Sequence, residues 1–298
     1  MEAHSVTENG FLARLHSGEV LVADGAMGTM LQAAGLPPGT PPEGWLLENP
    51  EAVVGVHRAY LQAGADLILT CTFGATRPRL ERYGLHNRVG EINRRAVEIA
   101  RQAAASTAFV AGDIGPLGEF LAPLGELDYG AAVDIFAEQA EALARAGVDV
   151  LYIETMAALE EVRAAVEGAS MVGEGIPVTA TLAFDSHGRT NMGVHPREAA
   201  GALVDLGVSA LGANCGATLE MTLDAVQIMH EVAPEAPLIA KPNAGVPRMV
   251  HAEVVYDATP DIMAGYARRF VDCGAVIIGG CCGSTPEHIA AIAGAVRR

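Results

Sequence analysis

Cysteine is scarce in this chain, positive charge is outnumbered, and no apolar run is long. The five cysteines, Cys71, Cys215, Cys273, Cys281 and Cys282, are few and irregularly spaced in 298 residues. They form no disulfide framework, so a reducing compartment is expected, the cytoplasm by default. Lys and Arg number 19 against 36 Asp and Glu, a net charge of −17. A phosphate backbone or an anionic lipid surface would repel such a chain, which argues against nucleic acid and membrane as partners. No stretch reaches the roughly 20 apolar residues a bilayer span needs. The polar start MEAHSVTENG lacks the basic head and apolar middle of a secretory signal. No G-x-G-x-x-G follows the first apolar run, so the usual cue for a dinucleotide fold is missing.

What is present is material for a large core: 50% of residues are hydrophobic and 18% charged. One local theme recurs. A helix-like stretch stops at a glycine and a β-branched apolar run follows at once, as in Ala63-Gly64-Ala65-Asp66 before LILTC and Cys273-Gly274-Ala275 before VIIGGCC. The theme also precedes VLYIE and SALGANC, and filling the gaps gives eight candidate strands, beginning near Val20, Leu67, Phe109, Val150, Val178, Ala210, Leu238 and Val276. Their spacing, mostly about thirty to forty-five residues, is that of a strand, a helix and two loops. Strands apolar on consecutive positions suit a parallel sheet covered on both faces. The expected fold is α/β, a (β/α)8 TIM barrel formed as a single domain over 1–298, with 1–17 a short N-terminal extension or helix.

In such a barrel the reactive side chains gather at the C-terminal ends of the strands. Those ends read Asp24-Gly25, Cys71-Thr72, Asp113, Glu154, Asp185, Asn214-Cys215, Asn243 and Cys281-Cys282. Thiols from the sixth and eighth strands therefore face one another. Cys281 and Cys282 are flanked by Gly279, Gly280 and Gly283, which make sense where backbone bends sharply or approaches something closely. Three thiolates converging from two strand ends would hold Zn2+ and leave its fourth position open to a substrate thiol. A strained disulfide between the adjacent pair is the competing reading, disfavoured in a reducing compartment. Cys273 reads as a small buried hydrophobe. Glu154 follows an apolar strand, where a lone carboxylate is costly, and is read as accepting from a substrate ammonium. For Asp24 two roles stand side by side, that one and a cap on the helix beginning at DGAMGT. Ser284-Thr285-Pro286 opens the last helix, and the histidines show no ligand spacing with the cysteines.

These segments carry a likeness. DGAMGTML at Asp24, TFGAT at Thr72, GDIGPLGE at Gly112, ET at Glu154, GANCG at Gly212, KPNAG at Lys241 and GGCCGSTPEHI at Gly279 resemble the homocysteine S-methyltransferase family. Its members include the homocysteine-binding module of cobalamin-dependent methionine synthase and the betaine- and S-methylmethionine-dependent enzymes. The resemblance implies zinc on Cys215, Cys281 and Cys282, with L-homocysteine completing the coordination. It implies that Asp24 and Glu154 hold the amino acid's ammonium, while backbone around Gly25, Ala26, Gly28 and Thr29 takes its carboxylate. Thr72, Asp113 and Asn243 are further pocket residues. The expected reaction is methyl transfer to homocysteine, giving methionine, from S-methylmethionine, a betaine-like compound or a methylcorrinoid protein. Alternatives are a subunit that only presents homocysteine to a corrinoid partner, and transfer to another thiol or selenol. Gly74 stands where the betaine enzyme carries an aromatic residue, and Cys71 replaces an asparagine common in the family. No H-x-D-x-x-G corrinoid signature occurs.

Overall fold

The computed structural model describes residues 10–172, 175–250 and 253–297. Eight parallel strands form its centre: β1 (Leu21–Val22), β2 (Leu67–Leu69), β3 (Phe109–Ile114), β4 (Val150–Met156), β5 (Val178–Leu182), β6 (Ala210–Cys215), β7 (Leu238–Pro242) and, after a hairpin, β10 (Ala275–Ile278). Pairing runs β1-β10-β7-β6-β5-β4-β3-β2. A parallel bridge from Ala23 to Leu67 joins the two outer strands and closes the ring. The (β/α)8 barrel expected from the repeated glycine-stopped units is the fold observed.

Local chemistry explains the alternation. The helix Tyr129–Ala146 starts where the Asp128 side chain accepts from the backbone N–H groups of Gly130 and Ala131, and stops at Gly147 with φ +90°. The chain then enters β4, whose residues are almost all buried. Outer helices cover that sheet, so its apolar residues meet side chains on both faces. The helix Gly10–Leu15, part of the expected N-terminal extension, plugs the N-terminal mouth of the ring. Its Phe11 and Leu15 pack against Leu21, Leu67, Val150, Ala210, Ile239 and Ile277. Residues 1–9 of that extension lie outside the described residues.

Two features depart from the sequence reading. The fifth strand stops at Leu182. Asp185 lies beyond it in a turn, its Oδ1 accepting from the His187 N–H at 2.7 Å. Between β7 and its helix sits an antiparallel hairpin, β8 (Pro247–Val250) with β9 (Glu253–Tyr256), for which the strand-spacing pattern gave no cue. Among the described residues no helix is long and apolar enough to cross a membrane.

Candidate metal and substrate site

The sulfur atoms of Cys215, Cys281 and Cys282 lie within 4.8 Å of one another. Backbone geometry at β6 brings this about. Cys215 has φ +56° and Gly216 φ +81°, so the chain turns sharply as the strand ends and swings the thiol toward β10. On the β10 side, a Cβ at Gly279 would stand 2.8 Å from the Asp24 carbonyl oxygen, so only glycine lets those strand ends come together. Ser284 ties the turn: its hydroxyl donates to the Cys281 carbonyl at 2.7 Å and accepts from the Ala26 N–H at 3.1 Å. Tyr60 reaches across from its helix to donate to the carbonyls of Ala26 and Ser284. The β1 and β10 ends are thereby fixed to each other.

All five cysteines are free thiols. The Cys281 thiol is held well above its usual range, first by its hydrogen bond with Cys215 and then by burial. Three neutral thiols in contact need a cation before they ionise together. Zinc–sulfur bonds of about 2.3 Å in a tetrahedron require sulfurs about 3.8 Å apart, which this spacing accommodates. The donor set, all sulfur with three ligands, fits a thiophilic ion with one open position. Asn243 lies outside the cavity lining. Its side-chain amide donates to the Gly216 carbonyl at 2.9 Å and so braces the turn that carries Cys215.

Beside the thiols lies a buried charge cluster that strand-end reasoning assembled only in part. Asp24 Oδ2 accepts from the Leu69 N–H at 2.8 Å, and its Oδ1 faces Lys241 Nζ at 3.4 Å. Asp24 therefore does not cap the helix Met27–Ala33, whose N-cap is Ala26. Lys241 Nζ also stands 3.9 Å from Glu154 Oε2 and 5.3 Å from the centre of the Tyr152 ring. Burial opposes the Lys241 charge, but the two carboxylates outweigh it and raise its pKa. Burial likewise raises Asp24, Glu154 and, furthest, Asp113, whose neighbour Glu154 adds to the effect. One ammonium among three carboxylates leaves the cluster short of positive charge. Glu154 Oε2 and Asp113 Oδ1 have no hydrogen-bond partner. A ligand ammonium meets both deficits.

Thiols and carboxylates open into one cavity of about 510 Å3. That volume suits small metabolites. Asp24, Gly25, Ala26, Gly28, Thr29, Thr72, Asp113, Glu154, Cys215, Cys281 and Cys282 all line it. Thr72 spends its hydroxyl on the Asp113 carbonyl at 2.7 Å, which pins β2 to β3. Cys71, left without a role by sequence, is a buried thiol on the same wall. Sequence reasoning missed Lys241 although it ends strand β7, where the rule used for the others would have found it. It also missed Glu43 and Arg79, which come from loop and helix segments and carry no strand-end signal.

A (β/α)8 barrel whose C-terminal face holds a sulfur-rich, metal-type triad beside an ammonium-seeking carboxylate cluster defines a class: barrels whose site fits a thiophilic metal ion and a small ligand bearing an ammonium. The chain belongs to the homocysteine S-methyltransferase family, whose sequence model matches residues 21–296. It is 34% identical to the mouse protein named betaine–homocysteine S-methyltransferase 1, over 96% of this chain and 74% of that one. It is 32% identical to methionine synthase of Mycobacterium leprae over 94% of this chain, but spans only 24% of that protein's length. The metallated Escherichia coli homocysteine methyltransferase MmuM superposes with a TM-score of 0.79 at 30% identity, covering 95% of this chain and 98% of that one.

Proposed function

We propose that this protein is a zinc-dependent homocysteine S-methyltransferase that uses a small cationic onium donor and releases methionine. The observation that carries the reading is the convergence of Cys215, Cys281 and Cys282 within 4.8 Å beside an under-compensated carboxylate cluster. Zinc, when bound by these thiolates, supplies a Lewis acid that keeps an incoming thiol deprotonated at neutral pH.

The chain's own residues do the rest. Asp24 and Glu154 take the homocysteine ammonium on the carboxylate oxygens that Lys241 only partly satisfies. Ala26 N–H is already spent on Ser284, so the substrate carboxylate falls to the open N–H groups at Gly28 and Thr29, in the first turn of a helix. Ammonium and carboxylate held at two points fix the direction of the sulfur, which supplies the orientation an in-line displacement needs. The thiol proton leaves to solvent. The sulfur lone pair then forms the new bond to the methyl carbon as the donor's onium bond breaks, its electron pair staying on the donor.

Supporting a small donor are the cavity of about 510 Å3 and the 34% identity, over 96% of this chain, to a relative named for betaine, a small onium compound. The match to a quarter of a mycobacterial methionine synthase supports the rival donor, a methylcorrinoid. The test is turnover of the zinc-loaded protein with homocysteine and, in parallel, S-methylmethionine, glycine betaine and methylcobalamin. Methionine formed from an onium donor supports the reading, and formation only from methylcobalamin overturns it.

A further inference from the structure

Between the thiol triad and the segment that carries Asp24 lies a buried joint that neither ligand would touch. Ser284 and Tyr60 are fully buried and lie outside the cavity lining. Ser284 donates its hydroxyl to the Cys281 carbonyl at 2.7 Å and accepts from the Ala26 N–H at 3.1 Å. Tyr60 shares its one hydroxyl proton between the carbonyls of Ala26, at 2.8 Å, and Ser284, at 3.0 Å. Both backbone polar groups of Ala26 are therefore spent in this joint. The Gly280 N–H adds a third tie, donating to the Asp24 carbonyl at 3.0 Å. The packing leaves no room for side chains at the two facing glycines. A Cβ at Gly25 would stand 2.6 Å from Ser284 Oγ and 2.8 Å from the Tyr60 hydroxyl, and one at Gly280 would overlap Ser284 Oγ.

We propose that Ser284 is a positioning residue that couples metal binding at Cys281 and Cys282 to amino-acid binding at the segment from Asp24 to Thr29, with Tyr60 as its brace. This rests on the homocysteine reading above and adds how the two binding steps support each other. The cysteine pair has Gly280 before it and Gly283 after it, and the facing segment holds Gly25 and Gly28. Glycine loses more conformational freedom on ordering than any other residue, so each segment is costly to hold in one shape. With its thiols gathered on one ion the Cys281 turn is held, and its carbonyl gives the Ser284 hydroxyl a fixed acceptor. The same hydroxyl then holds Ala26, and with it the segment whose Asp24 carboxylate takes the ammonium. The ordering is met once, and the second ligand finds its site already formed. Linkage makes the effect mutual, so an amino acid in the cavity tightens the metal by the same factor. Attraction between the metal centre and the ammonium acts through space and does not need Ser284. Loss of the hydroxyl therefore lowers the coupling between the ligands, whereas a merely structural residue would weaken each ligand and leave the coupling as it was.

The test is calorimetric titration of L-norvaline, the homocysteine analogue with a methyl in place of the thiol, into the reduced metal-free protein and into the zinc-loaded protein. L-Homocysteine is titrated in parallel. Without sulfur the analogue does not ligate the metal, so any tightening passes through the protein or through charge. Ser284→Ala keeps the backbone bond from the N–H of position 284 to the Cys281 carbonyl, 3.1 Å in the wild type, and Tyr60→Phe keeps the ring, so both variants are expected to fold. Zinc should tighten L-norvaline by about 10-fold in the wild type and by about 3-fold or less in Ser284→Ala, with Tyr60→Phe between them. Chelator competition with and without L-norvaline should return the same factors from the metal side. Equal factors in the wild type and both variants overturn the coupling alone. So does a wild-type protein that shows no tightening, or that binds L-homocysteine but not the analogue. A protein that binds neither amino acid in either metal state overturns the homocysteine reading and the coupling with it.

Discussion

The two ends of the barrel are built from the same eight strands and solve opposite problems. At the N-terminal end, Phe11 is fully buried and meets Phe109 edge to face at 5.6 Å in a cluster of aliphatic side chains. At the C-terminal end, a few residues along the same strands, the buried side chains are Asp24, Thr72, Asp113, Glu154, Asn214 and Lys241. Two carboxylate oxygens there lack hydrogen-bond partners. Thr155 and Cys215 adopt positive φ, which non-glycine residues enter at a cost of about 1–3 kcal/mol each. Stability is concentrated at one mouth and spent at the other. Substitutions at the two mouths should therefore separate folding from activity.

The sharpest separation comes from the triad. Cys281→Ala should abolish zinc binding and lower methyl transfer by on the order of 10⁴-fold, about 5 kcal/mol of transition-state stabilisation. The urea midpoint of the metal-free protein should scarcely move. Metal content by atomic absorption and a single-turnover assay check this. Retained activity would remove the triad from the mechanism. The mirror experiment is Phe11→Ala. It should cost about 3–5 kcal/mol of stability while zinc stoichiometry and homocysteine KM stay unchanged. If zinc affinity fell with it, the two mouths would be coupled and the division drawn above would be wrong.

How much of this was legible in the sequence depends on which residues a strand carries to its end. The barrel could be read because several helices end at a glycine, as at Gly64, Gly147, Gly207 and Gly274, and an apolar strand follows each, so much of the period is written in residue types. Cys215, Cys281, Cys282, Asp24 and Glu154 could be read because barrel geometry places strand ends in one ring. Lys241 was visible by the same rule, but its role was not, since pairing with two acids across the barrel leaves no trace in spacing. Glu43, Arg79 and Tyr60 come from loops and helix faces. Their orientation depends on packing that no local pattern encodes. The hairpin from Pro247 to Tyr256 escaped for a similar reason, being a short insertion inside one βα unit.

Lys241 sharpens the comparison by asking whether charge or packing dominates at the polar mouth. Lys241→Met preserves the stem's volume and removes the cation between Asp24 and Glu154. Breaking a buried pair by taking one partner should cost about 3 kcal/mol at pH 8. The pH dependence follows from sign. Burial raises Asp24 and Glu154 above their ordinary range, and Lys241 pulls them back down. Without it they rise further. The resulting penalty is absent below the unfolded carboxylate pKa of about 4 and grows as pH climbs toward the folded values. The gap in urea midpoint between wild type and variant should be narrower at pH 5 than at pH 8. A gap independent of pH would mean that Lys241 serves as filler.

The smallest expected effect concerns Asn214, which joins the strained backbone to the thiol triad. Its amide oxygen accepts from the Thr155 N–H at 2.8 Å and the Thr181 hydroxyl at 2.7 Å. Its nitrogen donates to the Thr155 hydroxyl at 2.7 Å and lies 3.9 Å from Cys281 Sγ. One side chain thus holds Thr155 at φ +62°, beside Glu154 on the cavity wall, and backs the Cys281 thiol. Asn214→Leu keeps the size and removes all four contacts. Thr155 is then free to leave its unfavourable conformation, and relief of that strain offsets part of the lost hydrogen bonding, so the net stability loss should be only about 1 kcal/mol. Function should fall further than stability. Zinc affinity should weaken by about 10-fold, as for other residues that orient metal ligands, and homocysteine KM should rise as Glu154 turns away. A chelator titration read beside the KM tells the two jobs apart: unchanged zinc affinity with raised KM would assign Asn214 to the carboxylate side alone.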